Sequence, residues 1–173
     1  DRIAAVAAVS EEVADEALKK IIVEYEVLPA VFTAEEAMKK DAPKIHVQAK
    51  KGKNIVELDG NILDSTDISI GDTKKGFAEA DYIIERVYRT SKPNPAPMER
   101  TCVICVPEDS GRLDVYATSQ GIHAMRINMA HSLGIPVSML NCHRMYLGGS
   151  FGAHIHTGFI ENICAVLAMR TGR

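Results

Sequence analysis

The sequence predicts an α+β chain made of two unlike parts joined by a polar connection. Three observations carry this. Strand-like and helix-like stretches alternate over residues 3–40. A lysine-rich and then polar stretch follows, to about Ile70. From Gly71 onward a β-hairpin pattern and two helical patterns flank a glycine cluster at 148–152. The boundaries read as 1–45 for the first part, 46–70 for the connection and 71–173 for the second.

In the first part, Ile3 to Val9 is an apolar strand candidate. Ser10 has the right chemistry to cap a helix from Glu11 to about Lys20, with Glu11 and Glu12 at its positive end. Val13, Ala17 and Leu18 form its apolar stripe. Ile21 to Val27 is a β-branched strand candidate, stopped by Leu28-Pro29. Thr33 caps a short helix over 34–40. The basic run Lys50-Lys51-Gly52-Lys53 in the connection reads as a solvated face.

In the second part, Thr73 to Ala80 reads as a short helix and Asp81 to Thr90 as a strand. Residues 91–97 contain Pro93, Pro95 and Pro97, and three missing donors exclude regular structure. Thr101–Pro107 and Leu113–Thr118 form a hairpin across the turn-rich Glu108-Asp109-Ser110-Gly111. Gly121 to Leu133 is helical, with Ile122, Met125, Met129 and Leu133 on one face. Gly134 supplies its left-handed end and Pro136 prevents continuation. Val137 to Tyr146 is a strand, and Thr157 to Arg170 a helix.

Composition narrows the functional classes. The 173 residues are 46% hydrophobic and 25% charged, enough for a real core and too apolar for disorder. A net charge of −3 gives no electrostatic case for nucleic acid or an anionic membrane. No apolar run reaches spanning length. The chain opens at Asp1-Arg2-Ile3 without a start methionine and stops just after a helix, so both ends are expected to be cuts in a longer polypeptide.

Cysteines stand at 102, 105, 142 and 164. Cys102 and Cys105 have C-x-x-C spacing, but in a β-run they face opposite ways and cannot share one metal. Buried free thiols in a reducing, cytoplasmic setting are expected. Six histidines are present. His154 and His156, with His143 or His131, could in principle ligate a metal, but no H-E-x-x-H or facial-triad spacing appears, and no metal ligand is assigned.

The glycine cluster is the strongest chemical signal. Gly148-Gly149-Ser150-Phe151-Gly152 lies between a strand and a helix, where bare backbone N–H groups suit an anion. It also reads as a tight turn without a ligand. It is neither G-x-G-x-x-G nor a Walker loop. Phe151 between glycines needs something to pack on, the simplest choice being the core. Gln120, at the start of a helix, carries an amide that both donates and accepts; it also reads as a surface residue.

Taken in order, these pieces resemble the molybdenum-binding subunit of the xanthine dehydrogenase and aldehyde oxidase family. The glycine cluster and the helix ending Thr171-Gly172-Arg173 carry the resemblance. So do Gly71-Asp72 with Gly76-Phe77-Ala78-Glu79-Ala80-Asp81, then Pro97-Met98-Glu99, then Thr118-Ser119-Gln120-Gly121-Ile122-His123. Upstream, Val23-Glu24-Tyr25-Glu26-Val27-Leu28-Pro29-Ala30 resembles the end of the family's hammerhead-like domain. The resemblance implies a partial hammerhead-like α/β domain over 1–45 and the N-terminal part of a mixed α/β molybdopterin-binding domain over 71–173.

The same resemblance implies hydroxylation with water as oxygen source, at a molybdopterin centre. The substrate would be an aromatic N-heterocycle such as a purine or nicotinate, or an aldehyde. Electrons would leave through iron–sulfur clusters (2Fe-2S) and FAD on partner subunits or domains. Gln120 would hydrogen-bond an oxygen ligand on molybdenum. Phe151 and Gly152 would lie beside metal and pterin, and Gly148 and Gly149 would touch the cofactor through their backbone. The cofactor's dithiolene would supply the sulfur ligands. The family's general base lies beyond the matched region, so Glu99 and Glu161 receive no such role, and the isolated chain is expected to be inactive.

Two departures stand out. Many members have Gly-Lys where this chain has Ala153-His154. Purine-oxidising members carry a glutamate where this chain has Ile155, which cannot bind a purine's polar edge. Two other readings therefore stay open: a non-catalytic α/β assembly module, and a phosphate-ligand binder using the glycine loop.

Overall fold

The computed structural model describes residues 2–51, 54–155 and 158–173. The helices are α1 (Glu11–Lys19), α2 (Ala34–Ala37), α3 (Thr73–Glu79), α4 (Ile122–Leu133) and α5 (Phe159–Thr171). The strands are β1 (Gln48–Lys51), β2 (Asn54–Glu57), β3 (Val103–Pro107), β4 (Leu113–Ala117) and β5 (Leu140–Arg144). They fall into two compact units, Val23–Arg89 and the combination of Asp1–Ile22 with Thr90–Arg173. The architecture is mixed α/β.

The larger unit is built on a three-stranded sheet in the order β3-β4-β5. The hairpin makes β3 and β4 antiparallel, Val103 facing Ala117 and Pro107 facing Leu113. Helix α4 then carries the chain back, so that β5 runs parallel to β4, Leu113 beside Leu140 and Ala117 beside Arg144. The period of two sets the core: Leu113, Val115 and Ala117 of β4 are buried, while Asp114 and Tyr116 face the other way. Cys105, Leu140, Met125, Met129, Ala130, Ala165 and Ala168 complete this core, with α4 against β5 and α5 against β3.

Helix ends follow from local chemistry. Gly134 takes φ 67°, and the Ile135 N–H returns to Ala130 O at 3.0 Å, closing the left-handed end of α4 as the sequence predicts. Ser10 Oγ accepts from Val13 N at 3.4 Å at the start of α1. In the smaller unit, Thr33 Oγ1 accepts from Glu36 N at 3.2 Å, and Glu36 Oε2 accepts in return from Phe32 N at 3.4 Å, a variant of the capping box. Asp72 Oδ1 caps α3 by accepting from Lys75 N at 2.9 Å. Asn61 ties the smaller unit together: its Nδ2 donates to Ala37 O and Pro43 O, both at 3.0 Å, and its Oδ1 accepts from Ile45 N at 2.8 Å.

Several sequence expectations are corrected. The stretches 3–9, 21–27 and 81–90 are not strands: they pair with no described strand, and Ile22, Val27, Tyr82 and Tyr88 stand exposed. β-branched and aromatic residues favour a pleated, half-covered surface, and without a neighbour the preference is not realised. Conversely, β1 and β2 pair antiparallel, Gln48 beside Glu57, within what reads as polar connection. The expected strand from Val137 starts later, because Pro136 opens a 3-10 turn over Val137–Met139 before β5. Gly52 and Lys53 of the basic run, His156, and Thr157 at the expected start of the last helix lie outside the described residues.

Candidate cofactor-binding site

Parallel pairing brings the site together. Because β4 and β5 run the same way, the segments that follow them leave from the same end of the sheet, where open α/β sheets bind ligands. Gln120 comes three residues after β4, and Gly148 four residues after β5. The Met145 N–H donates to Ala117 O at 3.0 Å and keeps the two departing segments side by side.

A closed circuit of three hydrogen bonds then joins Gln120 to the loop. The Gln120 N–H donates to His154 O at 2.9 Å. The His154 N–H donates to Ser150 Oγ at 3.0 Å. The Ser150 hydroxyl donates to Gln120 Oε1 at 2.6 Å. Ser150 and His154 are buried, whereas Gln120 is exposed. Gln120 and the glycine loop, predicted separately, therefore meet.

Within the loop the glycines do different things. The Gly148 N–H is not bare: it donates to Glu99 Oε1 at 2.6 Å, and a Cβ at 148 would run into that carboxylate. Gly152 has φ 91°, a conformation glycine adopts freely. Phe151 has φ 50°, a genuine outlier for a bulky residue. It is not a core anchor: its side chain is 77% exposed, and its ring lies across Gly149, where a Cβ would come within 2.9 Å of a ring carbon. Among the described residues, the N–H groups of Gly149, Ser150, Phe151 and Gly152 have no acceptor. Four free amides on one short loop suit an anionic group. Glu99 Oε2, Thr118 Oγ1 and His154 Nδ1, on segments that converge here, are buried without a partner. Buried polar atoms of this kind are ordinarily satisfied. The loop N–H groups and the Thr118 hydroxyl are donors that suit an anionic pterin dithiolene, whereas the Glu99 carboxylate oxygen can only accept and calls for a donor.

Sequence reasoning missed the parts played by Ser150, Glu99 and the His154 backbone. Ser150 stands in the motif but reads as filler between glycines, and Glu99 reads only as one letter of Pro97-Met98-Glu99. The remaining histidines do not gather: among the described residues no group of three or more metal-ligating side chains forms. His123 and His131 are exposed on α4. His143 lies on the outer sheet face, its Nε2 2.9 Å from Asp114 Oδ1 and its ring stacked on Tyr116 at 4.5 Å. That hydrogen bond, with a second from Asn141, holds the Asp114 carboxyl below its ordinary value against a smaller desolvation effect.

The cysteines are free, but only Cys105 is fully buried; Cys142 and Cys164 are half-buried and Cys102 is exposed, correcting the expectation of four buried thiols. Burial, and then the neighbouring Cys164, push the Cys105 thiol far up; burial also raises Cys142.

Residues 47–173 match the family described as the molybdopterin cofactor-binding domain. The chain belongs to this family. Over its full length it is 35% identical to the Escherichia coli K12 protein named "Probable hypoxanthine oxidase XdhD", covering 21% of that relative. It is 30% identical to the Eubacterium barkeri protein named "Nicotinate dehydrogenase large molybdopterin subunit", over 99% of this chain and 37% of the relative. The crystal structure of quinoline 2-oxidoreductase from Pseudomonas putida 86 superposes with a TM-score of 0.80 at 25% identity, over 96% of this chain and 20% of that one. The chain thus spans well under half the length of each of these relatives. Among the described residues no helix is long and apolar enough to cross a membrane.

Proposed function

We propose that this molybdopterin-binding domain serves a molybdenum hydroxylase that oxidises an aromatic N-heterocycle, or an aldehyde, with water as the oxygen source. The observation that carries the reading is the closed circuit Gln120–Ser150–His154 beside a loop with four free amides. The free N–H groups of Gly149, Phe151 and Gly152 would hold the cofactor, and Gly148 would give room while Glu99 fixes its amide. The exposed face of Phe151 and the amide of Gln120 would border the reacting centre. The bound group supplies two-electron redox chemistry; this chain binds and orients it.

Three similar proteins carry names built on hypoxanthine, nicotinate and quinoline, all flat nitrogen heterocycles. Ile155 offers no carboxylate to a purine edge, so a heterocycle with a less polar rim fits this segment better. Iron–sulfur (2Fe-2S) and FAD groups on partner subunits or domains would carry the electrons away. By itself the chain would not turn over substrate.

The test is the molybdenum and molybdopterin content of the complete complex, followed by Gln120→Ala. Near-stoichiometric metal and pterin, with a lower rate in the variant, supports the reading. Assembly without cofactor under conditions that load a known molybdenum enzyme would favour the non-catalytic module. Relative rates on quinoline, nicotinate, hypoxanthine and benzaldehyde would then define the substrate class.

A further inference from the structure

We infer that Ser150 is a positioning residue that fixes which end of the Gln120 amide faces outward. The inference rests on the reading of Gln120 as a site residue. The geometry is specific. A hydroxyl has one proton to give and two lone pairs. Ser150 Oγ already accepts the His154 N–H at 3.0 Å, and it lies 2.6 Å from the Gln120 amide. That separation falls inside the range of about 2.5–3.0 Å for O–H···O bonds and below the usual range for N–H···O, which begins near about 2.7 Å. The end of the amide facing Ser150 is therefore the oxygen, and the hydroxyl proton goes to it.

The consequence is directional. With Oε1 committed to Ser150, the Nε2 end is left as the outward group, and it donates to none of the described residues. An unrestrained amide can present either end at similar energy. This one is set to present two N–H donors, which attract an anionic or oxygen-bearing group and disfavour a donor. Ser150 is 5% exposed and held from behind by the His154 backbone, so water cannot readily replace its hydroxyl.

The experiment uses the complete, molybdenum-loaded protein and four forms: wild type, Ser150→Ala, Gln120→Ala and the double variant. Ser150→Ala is expected to lower kcat by about tenfold with KM and molybdenum content little changed, and to add nothing in the Gln120→Ala background. The EPR signal of the partly reduced molybdenum centre should move in both single variants and move no further in the double. An equal loss from Ser150→Ala in both backgrounds would show that Ser150 merely braces the loop, and would overturn the inference. So would an unchanged rate in Ser150→Ala while Gln120→Ala is impaired. If Gln120→Ala itself proves silent, the reading of Gln120 fails. The orientation is then judged separately by neutron diffraction on the deuterated complete protein. A deuteron on Ser150 aimed at Gln120 Oε1 upholds it, and amide deuterons facing Ser150 overturn it.

Discussion

Glu99 Oε1 accepts the Gly148 N–H at 2.6 Å across 49 residues of sequence. This bond fastens the first residue of the glycine loop to a proline-rich stretch that has no regular structure of its own.

The pairing makes an epistatic prediction. Gly148→Ala should be modestly destabilising, because its Cβ would push aside the Glu99 carboxylate, the far end of a flexible side chain, and weaken its bond to the 148 N–H. Glu99→Ala should cost about 1–2 kcal/mol, the scale of a partly exposed charge-assisted hydrogen bond. The double variant should recover part of the Gly148→Ala loss. Denaturant midpoints of the four forms read the coupling directly.

Phe151 should trade stability against function. Its φ of 50° costs on the order of 1 kcal/mol or more, and its ring gains little from burial. Phe151→Gly is expected to hold or raise the melting temperature of the complete protein while lowering its cofactor retention or turnover. A large fall in melting temperature would mean that the ring is a structural prop after all.

Core packing sets a third expectation. Met129 is fully buried between α4 and the sheet. Met129→Ala should cost about 2–5 kcal/mol by leaving a cavity. Urea unfolding measures it.

The Asp114–His143 pair gives an acid limb. The folded-state value of Asp114 lies below its unfolded value, so the pair's contribution is present above the ordinary carboxylate range. It is lost as pH falls through the depressed folded value. Asp114→Asn should lower stability in the neutral region, flatten the acid limb and leave the most acidic values nearly unchanged. Unfolding at a series of acidic pH values checks it.

Thiol reactivity should rank by exposure. Cys102 is exposed, whereas burial keeps Cys105 protonated. Alkylation followed by mass spectrometry should label Cys102 first and Cys105 only on unfolding.

What could be read in the sequence was what is local. The caps at Ser10 and Thr33, the hairpin across 108–111 and the left-handed end at Gly134 each depend on a few adjacent residues, and each forms as expected. The stretches at 3–9, 21–27 and 81–90 carry β-rich composition, but a strand needs a partner, and pairing is not written in one segment. The same distinction holds at the site. Gln120 and Gly148–Gly152 stand out through residue type and position. Their junction does not, because Ser150 reaches Gln120 across 30 residues and Glu99 reaches Gly148 across 49. Those contacts exist only once the parallel strands have aligned.

Strand alignment therefore doubles as a gauge for the site. In β5 a slip of two residues would keep every side chain on its proper face while Cys142 or Ser138 took the place of Leu140 beside Leu113. At about 3.3 Å per residue it would also carry Ser150 roughly 6–7 Å along the strand axis, out of reach of Gln120. The Ala117–Arg144 register is the only one of these alignments that closes the circuit. A misregistered molecule could look folded by every bulk measure and still be unable to present its amide, so loading with cofactor would count the correctly threaded molecules more faithfully than any melting curve.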